Sequence, residues 1–252
     1  AIEAEWETHE APAPFTVFGL PNQETMETDF AIRIPWVMGL IATRSTDEEV
    51  IGIKDLMKQN EARVYSGIEA YRYLVELRAG NTSPQIVDAF EQHKADLGYG
   101  LLLKKYVENP ADATPQQIQM AVKDTIPTVA PLFWSFRIMV AAGFWMLFLI
   151  GAAFYYTVRR KCSENRWLLR ALLWSIPVPW VASELGWFVA EFGRQPWAIG
   201  EVLPTVIATS SLTAGDLWIS LSGFIAFYTL LLIIELYLMF KFARLGPSSL
   251  RT

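Results

Sequence analysis

The sequence predicts an all-α membrane protein in which a helical extracytoplasmic region precedes three transmembrane helices. Three observations carry that expectation. The chain is 52% apolar and 19% charged, with a mean hydropathy of +0.25, which excludes a disordered chain and argues against an ordinary soluble domain. From Ile138 to Val158 run 21 uncharged residues, about 30 Å of helix, the thickness of a hydrocarbon core. The charge is also unevenly divided: residues 1–130 hold 20 acidic and 11 basic side chains, residues 131–252 hold 6 and 10. Residues 1–130 are therefore expected outside the membrane and 131–252 within it. The acidic half has no basic stripe to neutralise phosphates, so nucleic-acid binding lacks electrostatic support. Cys162 is the one cysteine, too few for a disulfide framework or a cysteine metal cluster within the chain. Ala1-Ile2-Glu3 opens with neither an initiator Met nor a basic-then-apolar leader, as expected of a fragment or processed product.

The first span is expected over about 133–158. The second, about 167–190, is interrupted by Arg170, Pro177, Pro179 and Glu184; its prolines remove backbone hydrogen bonds, which predicts a bent, well-packed helix. The third, about 217–240, is interrupted only by Glu235. Arg159, Arg160, Lys161, Arg166 and Arg170 crowd the first link, and Lys241, Arg244 and Arg251 the tail. Both belong in the cytoplasm by the positive-inside rule. The loop 191–216 and residues 1–130 are then external.

Within the external half, Ser45, Thr46 and Asp47 precede Glu48 and Glu49 in capping-box style. Val50, Ile53, Met57, Val64, Ile68, Tyr71 and Val75 follow on one helical face broken at Glu61. Gly80 closes that helix, Ser83-Pro84 opens another reaching about Val107, and Thr114-Pro115 with Gln117 opens a third. Asn81-Thr82-Ser83 fits a glycosylation sequon but reads better as a capping turn. The apolar stretch Ala31 to Ala42 is too short to span and is expected to be re-entrant, interfacial or packed.

Charged groups at membrane depth cost about 3 kcal/mol and need a reason. Arg137 and Met139 lie at the outer end of the first span, Glu184 and Glu191 on the second, and Glu235 near the inner end of the third. Glu184 and Glu191 are seven residues apart and share a face with Trp180 and Trp187, and Arg194 follows. A bland reading stands beside each. Met139 packs as a gap-filler, Arg137 snorkels and Glu235 sits at an interface, and the tryptophans form a belt. The glutamates resist it, since a carboxylate in hydrocarbon needs a cation or a proton. The only histidines, His9 and His93, lie outside the predicted spans.

The run Gly186-Trp187-Phe188-Val189-Ala190-Glu191-Phe192-Gly193-Arg194-Gln195-Pro196-Trp197-Ala198-Ile199-Gly200-Glu201-Val202-Leu203-Pro204-Thr205 resembles the signature of subunit I of the cytochrome bd ubiquinol oxidases. The likeness extends to Ser135–Val140, Ser210–Asp216 and the tail from Phe240 to Leu250. Ala1–Thr8 and Asp96–Leu102 resemble the long form of that family's quinol-binding loop. The likeness covers nearly the whole chain. It implies the C-terminal half of a nine-helix subunit, comprising the rear of the quinol loop and the last three helices.

The resemblance further implies an enzyme that oxidises ubiquinol or menaquinol and reduces dioxygen to water. Its cofactors would be a low-spin haem b, a high-spin haem b and haem d. Met139 matches an axial ligand of the low-spin haem b iron, whose histidine partner would lie in the N-terminal half, and Arg137 matches an arginine near that haem. Glu191 matches the carboxylate at the high-spin haem b iron, Trp187 a nearby aromatic, and Arg194 a propionate partner. Glu3 matches a quinol-binding glutamate. Glu184 is a candidate for a proton route by position alone. Partners implied are the N-terminal half, subunit II, small accessory subunits and the bilayer of a bacterial inner membrane, with residues 1–130 periplasmic and the C-terminus cytoplasmic. Quinol protons would be released outside and oxygen's protons drawn from the cytoplasm, separating charge without a pump. The competing expectation is a membrane-anchored sensor or assembly protein, with a transporter fragment third; haem content separates them.

Overall fold

The computed structural model describes residues 1–11, 13–35, 37–38, 49–161 and 164–245. Its first regular element is a hairpin, β1 (Phe15–Asn22) antiparallel to β2 (Glu27–Ile34). The sequence reading assigned no strand here. The β-branched and aromatic residues Phe15, Thr16, Val17, Phe18, Ile32 and Ile34 suit a pleated, half-buried surface. The stretch Ala31 to Ala42 therefore divides. Residues 31–34 finish β2, and most of the remainder lies outside the described residues, as do Cys162, Arg251 and the Ser45, Thr46 and Asp47 cap.

Helix α1 (Ile53–Arg78) buries Ile53, Val64, Gly67 and Ile68. The break in its apolar face at Glu61 has a partner: Gln119 Nε2 donates to Glu61 Oε1 at 2.6 Å. Gly80, at φ +95°, ends the segment in the left-handed conformation; residues 81–83 then form no turn, contrary to the expected capping turn, and Ser83, in an extended conformation, precedes α2 (Pro84–His93) without a side-chain cap hydrogen bond. The sequence predicts a second external helix from Ser83-Pro84 to about Val107. It is instead divided into α2, a 3-10 turn at Lys94–Asp96, α3 (Leu97–Leu101) and another 3-10 turn at Leu102–Lys105. The reason is backbone contact. Gly67 of α1 and Gly100 of α3 approach so closely that a Cβ on either would collide with the other's main chain. Helix α4 (Pro115–Asp124) starts as expected, with Thr114 and Gln117 forming a reciprocal capping box. The external core gathers Val64, Ile68, Leu103, Ile118 and Val122, and Trp197, from the loop after the second apolar helix, completes it.

Helix α5 (Val129–Val158) is followed by α6 (Arg166–Trp174) and α7 (Val178–Phe192), separated at residues 175–177. Pro177 breaks the ladder, and Trp145 Nε1 of α5 donates to Ser175 Oγ at 2.8 Å beside the break. The bend agrees with the expectation. The packing is one-sided: α5 covers α7 on one flank, while Trp174, Ile176 and Trp180 stay exposed. A short hairpin, β3 (Trp197–Ile199) with β4 (Leu203–Pro204), follows. Residues from Thr209 form a separate unit containing α8 (Ala214–Leu245). At its start Thr213 donates to Asp216 Oδ2 from both N and Oγ1, and Asp216 N donates back to Thr213 Oγ1. Three helical segments, ending at Val158, Phe192 and Leu245, are long and apolar enough to cross a membrane.

Candidate functional site

Arg137 lies in the third turn of α5 and is almost entirely enclosed. Its Nε donates to the carbonyls of Thr16 and Val17, both at 3.1 Å. Nη1 donates to Ile2 O at 3.0 Å and Phe133 O at 3.2 Å. Nη2 donates to Glu3 Oε2 at 2.8 Å and also to Thr16 O. The guanidinium carbon stands 3.3 Å from the Phe133 ring centroid, a cation–π contact in a desolvated setting. One side chain thus joins the N-terminal segment, β1 and α5, and its fork of five N–H groups is matched to this chain's own oxygens.

Glu3 and Glu5 are both buried, and between them Ala4 is buried at φ +53°, a strained conformation for a non-glycine residue. Burial raises the pKa of Glu3. The charge and hydrogen bond of Arg137 oppose that rise, and the charge of Glu5 adds to it. Glu5 accepts from Thr16 Oγ1 at 3.0 Å and pairs with His9 Nε2 at 2.9 Å. Beside this cluster Arg137, Phe15, Val17, Ile34, Trp134 and Phe136 line a cavity of about 590 Å³ that is otherwise apolar. The sequence reading missed this cavity, because its walls come from a hairpin it did not foresee. The alternation of Phe15 and Val17 was the available signal.

Met139, two residues after Arg137, lies about 200° around α5 and so faces the other way. Its Sδ rests against Gly186 of α7, where a Cβ would stand 3.0 Å from the sulfur. Met139 is half-buried at this interface. Glu191 lies five residues beyond Gly186, well off the α5-facing side of α7. Its carboxylate is 48% exposed, and Arg194 Nη2 approaches Oε1 only to 3.6 Å. Trp180, at 66%, and Trp187, at 64%, are exposed with Glu184 on the same stripe. The structure therefore brings Glu3 to Arg137 and Glu191 to Arg194, while Met139 of α5 packs on the Gly186 face of α7 and Glu191 lies on a different face of that helix.

The loop after α7 is docked on the external helices by a residue the sequence reading did not single out. Arg63 of α1 donates to Asp96 Oδ1 at 2.7 Å, Glu201 Oε2 at 2.9 Å and Tyr99 Oη at 2.9 Å. Burial pushes the Tyr99 phenol up to about 12, so it remains neutral. Tyr99 meets Trp197 edge-on at 5.0 Å. Gly98 lies so close to the Glu201 carbonyl that a Cβ would collide with it. No local pattern marks Arg63, since its partners lie 33 and 138 residues away.

The donor chemistry fits iron porphyrins at two places: a neutral thioether at Met139, and an exposed carboxylate at Glu191 beside an arginine and an indole. Arg137 fits a haem propionate less well, because its donors already end on this chain. The family described as cytochrome bd terminal oxidase subunit I matches residues 1–247. The chain is similar to cytochrome bd-II ubiquinol oxidase subunit 1 of Escherichia coli (strain K12), with 46% identity over 252 residues, 100% of this chain and 49% of that protein. It is also similar to cytochrome bd ubiquinol oxidase subunit 1 of Bacillus subtilis (strain 168), with 26% identity over 245 residues, 97% of this chain and 40% of that protein. The chain spans about half the length of the curated relatives it matches. It belongs to the cytochrome bd terminal oxidase subunit I family.

Proposed function

We propose that this chain is the C-terminal half of the haem-bearing subunit of an oxidase that takes electrons from ubiquinol or menaquinol and delivers them to dioxygen. The observation that carries the reading is the junction at Arg137: it lines the apolar cavity, holds Glu3, and precedes Met139 by two residues. An apolar cavity suits a prenylated quinol, and a buried carboxylate whose pKa is raised by burial is suited to accepting its proton.

In this reading Met139 would hold the low-spin haem b iron and Glu191 the high-spin haem b iron. Trp187 would be an aromatic near the high-spin haems, Arg194 would pair with a propionate, haem d would complete the set, and Glu184 would belong to a proton route or to the haem surroundings. The haems supply one-electron transfer and oxygen reduction when bound. A thioether ligand favours ferrous iron, which suits an acceptor of quinol electrons. Arg137 acts through its charge and through Glu3 rather than by a propionate hydrogen bond. Residues 1–130 lie on the periplasmic side of a bacterial inner membrane and the C-terminus in the cytoplasm. Quinol protons leave outside while those for water enter from inside, so charge is separated without a pump. The other half of the subunit, subunit II and small accessory subunits complete the enzyme.

The test is an optical redox spectrum of the assembled enzyme. Met139→Leu keeps the packing volume, and its expected outcome is loss of the low-spin haem b band and of quinol oxidation. An unchanged six-coordinate spectrum overturns the assignment. Full turnover and haem content in Glu184→Gln removes Glu184 from the proton route.

A further inference from the structure

The Glu5–His9 pair has no part in the reading above, although it is built with some care. Glu5 is 5% exposed, and both its oxygens are engaged, one by Thr16 Oγ1 and the other by His9 Nε2. Thr16 also links the pair to Glu3, because its carbonyl accepts from the same Arg137 that holds Glu3. His9 is pinned by reciprocal backbone hydrogen bonds with Val50, both 3.1 Å, and its side chain is 25% exposed. A buried carboxylate backed by a partly exposed imidazole is the arrangement of a proton relay. Neighbouring charges are otherwise occupied: Lys54 pairs with Glu7, and Asp55 accepts from Thr8 and Lys58.

We propose that Glu5 and His9 carry the quinol proton from Glu3 to the external water. This rests on the quinol reading of Glu3. In each of the two one-electron steps of its oxidation, quinol gives one proton to the Glu3 carboxylate as one electron leaves to the haems the enzyme would hold. The proton passes from Glu3 to Glu5, and Glu5 donates it to His9 Nε2 in the tautomer that carries hydrogen on Nδ1. The imidazolium releases the Nδ1 proton to water, and tautomer exchange restores the ring. Each cycle exports one proton with no net change in the residues.

The experiment uses the assembled enzyme purified from membranes, with ubiquinol-1 as donor, measuring kcat and KM against pH for Glu3→Gln, Glu5→Gln, His9→Gln and His9→Ala. Glutamine at position 9 can keep the hydrogen bond to Glu5 yet cannot relay a proton. The expected result is kcat lowered about tenfold or more in Glu5→Gln and His9→Gln, with KM and haem content retained. Added imidazole should restore turnover in His9→Ala. Unchanged kcat in both His9 variants at every pH, with no response to imidazole, overturns the relay. If Glu3→Gln is also fully active, the quinol reading of Glu3 fails as well; if Glu3→Gln is inactive, only the relay fails.

Discussion

Arg137 and Glu191 are both charged groups on apolar helices, yet this chain treats them oppositely. Arg137 has a side chain 9% exposed and every donor matched within the chain. Glu191 is about half exposed, with its nearest cation at 3.6 Å. A desolvated charge is tolerated only when its partners are fixed around it, so the Arg137 cluster is part of the fold. Glu191 is instead an open carboxylate on an apolar helix, with no such set of partners among the described residues of this chain. The contrast separates a charge enclosed by the chain's own groups from one the chain leaves open.

The sharpest way to break that contrast is Arg137→Ala. Removing it strands Glu3 and several carbonyls, at a cost of roughly 3–5 kcal/mol, and the expected outcome is loss of assembled, haem-loaded enzyme from membranes. Normal yield and melting temperature would mean that the guanidinium is not structural. Gly67→Ala comes next. The collision with Gly100 should cost roughly 1–3 kcal/mol by overpacking, seen as a lower melting temperature without change in the haem spectrum. Glu191→Gln should do the reverse: stability within about 0.5 kcal/mol of the parent, as for an exposed substitution, but loss of a high-spin haem signal. A large drop in melting temperature with all haems kept would reverse its place in the contrast.

The smallest effect concerns Glu3 and pH. Its folded pKa lies above the ordinary glutamate value, so its contribution to stability is complete below about pH 4 and is lost as pH rises through the folded pKa. Glu3→Gln removes that loss. The melting temperature of the variant should gain on the parent as pH rises across that window, and parallel pH profiles would exclude it.

Much was legible from one dimension. Hydropathy and run length gave the three membrane-crossing helices, because lipid imposes one requirement on every residue of a span. The Thr114–Gln117 box and the Gly80 stop could be read because caps are local. That Trp180, Glu184, Trp187 and Glu191 share one stripe followed from helical spacing alone, whereas its exposure within this chain was seen only in the structure. The division of the helix after Ser83, the docking of the loop after α7 and the cluster at Arg137 could not be read in this way. Each depends on residues far apart in sequence: Gly67 on Gly100, Arg63 on Glu201, and Glu3 on Arg137, 134 positions later. Local energetics determined where the chain would coil and where it would enter lipid. Only tertiary packing decided which buried charges would meet, because desolvation becomes affordable only where distant partners converge.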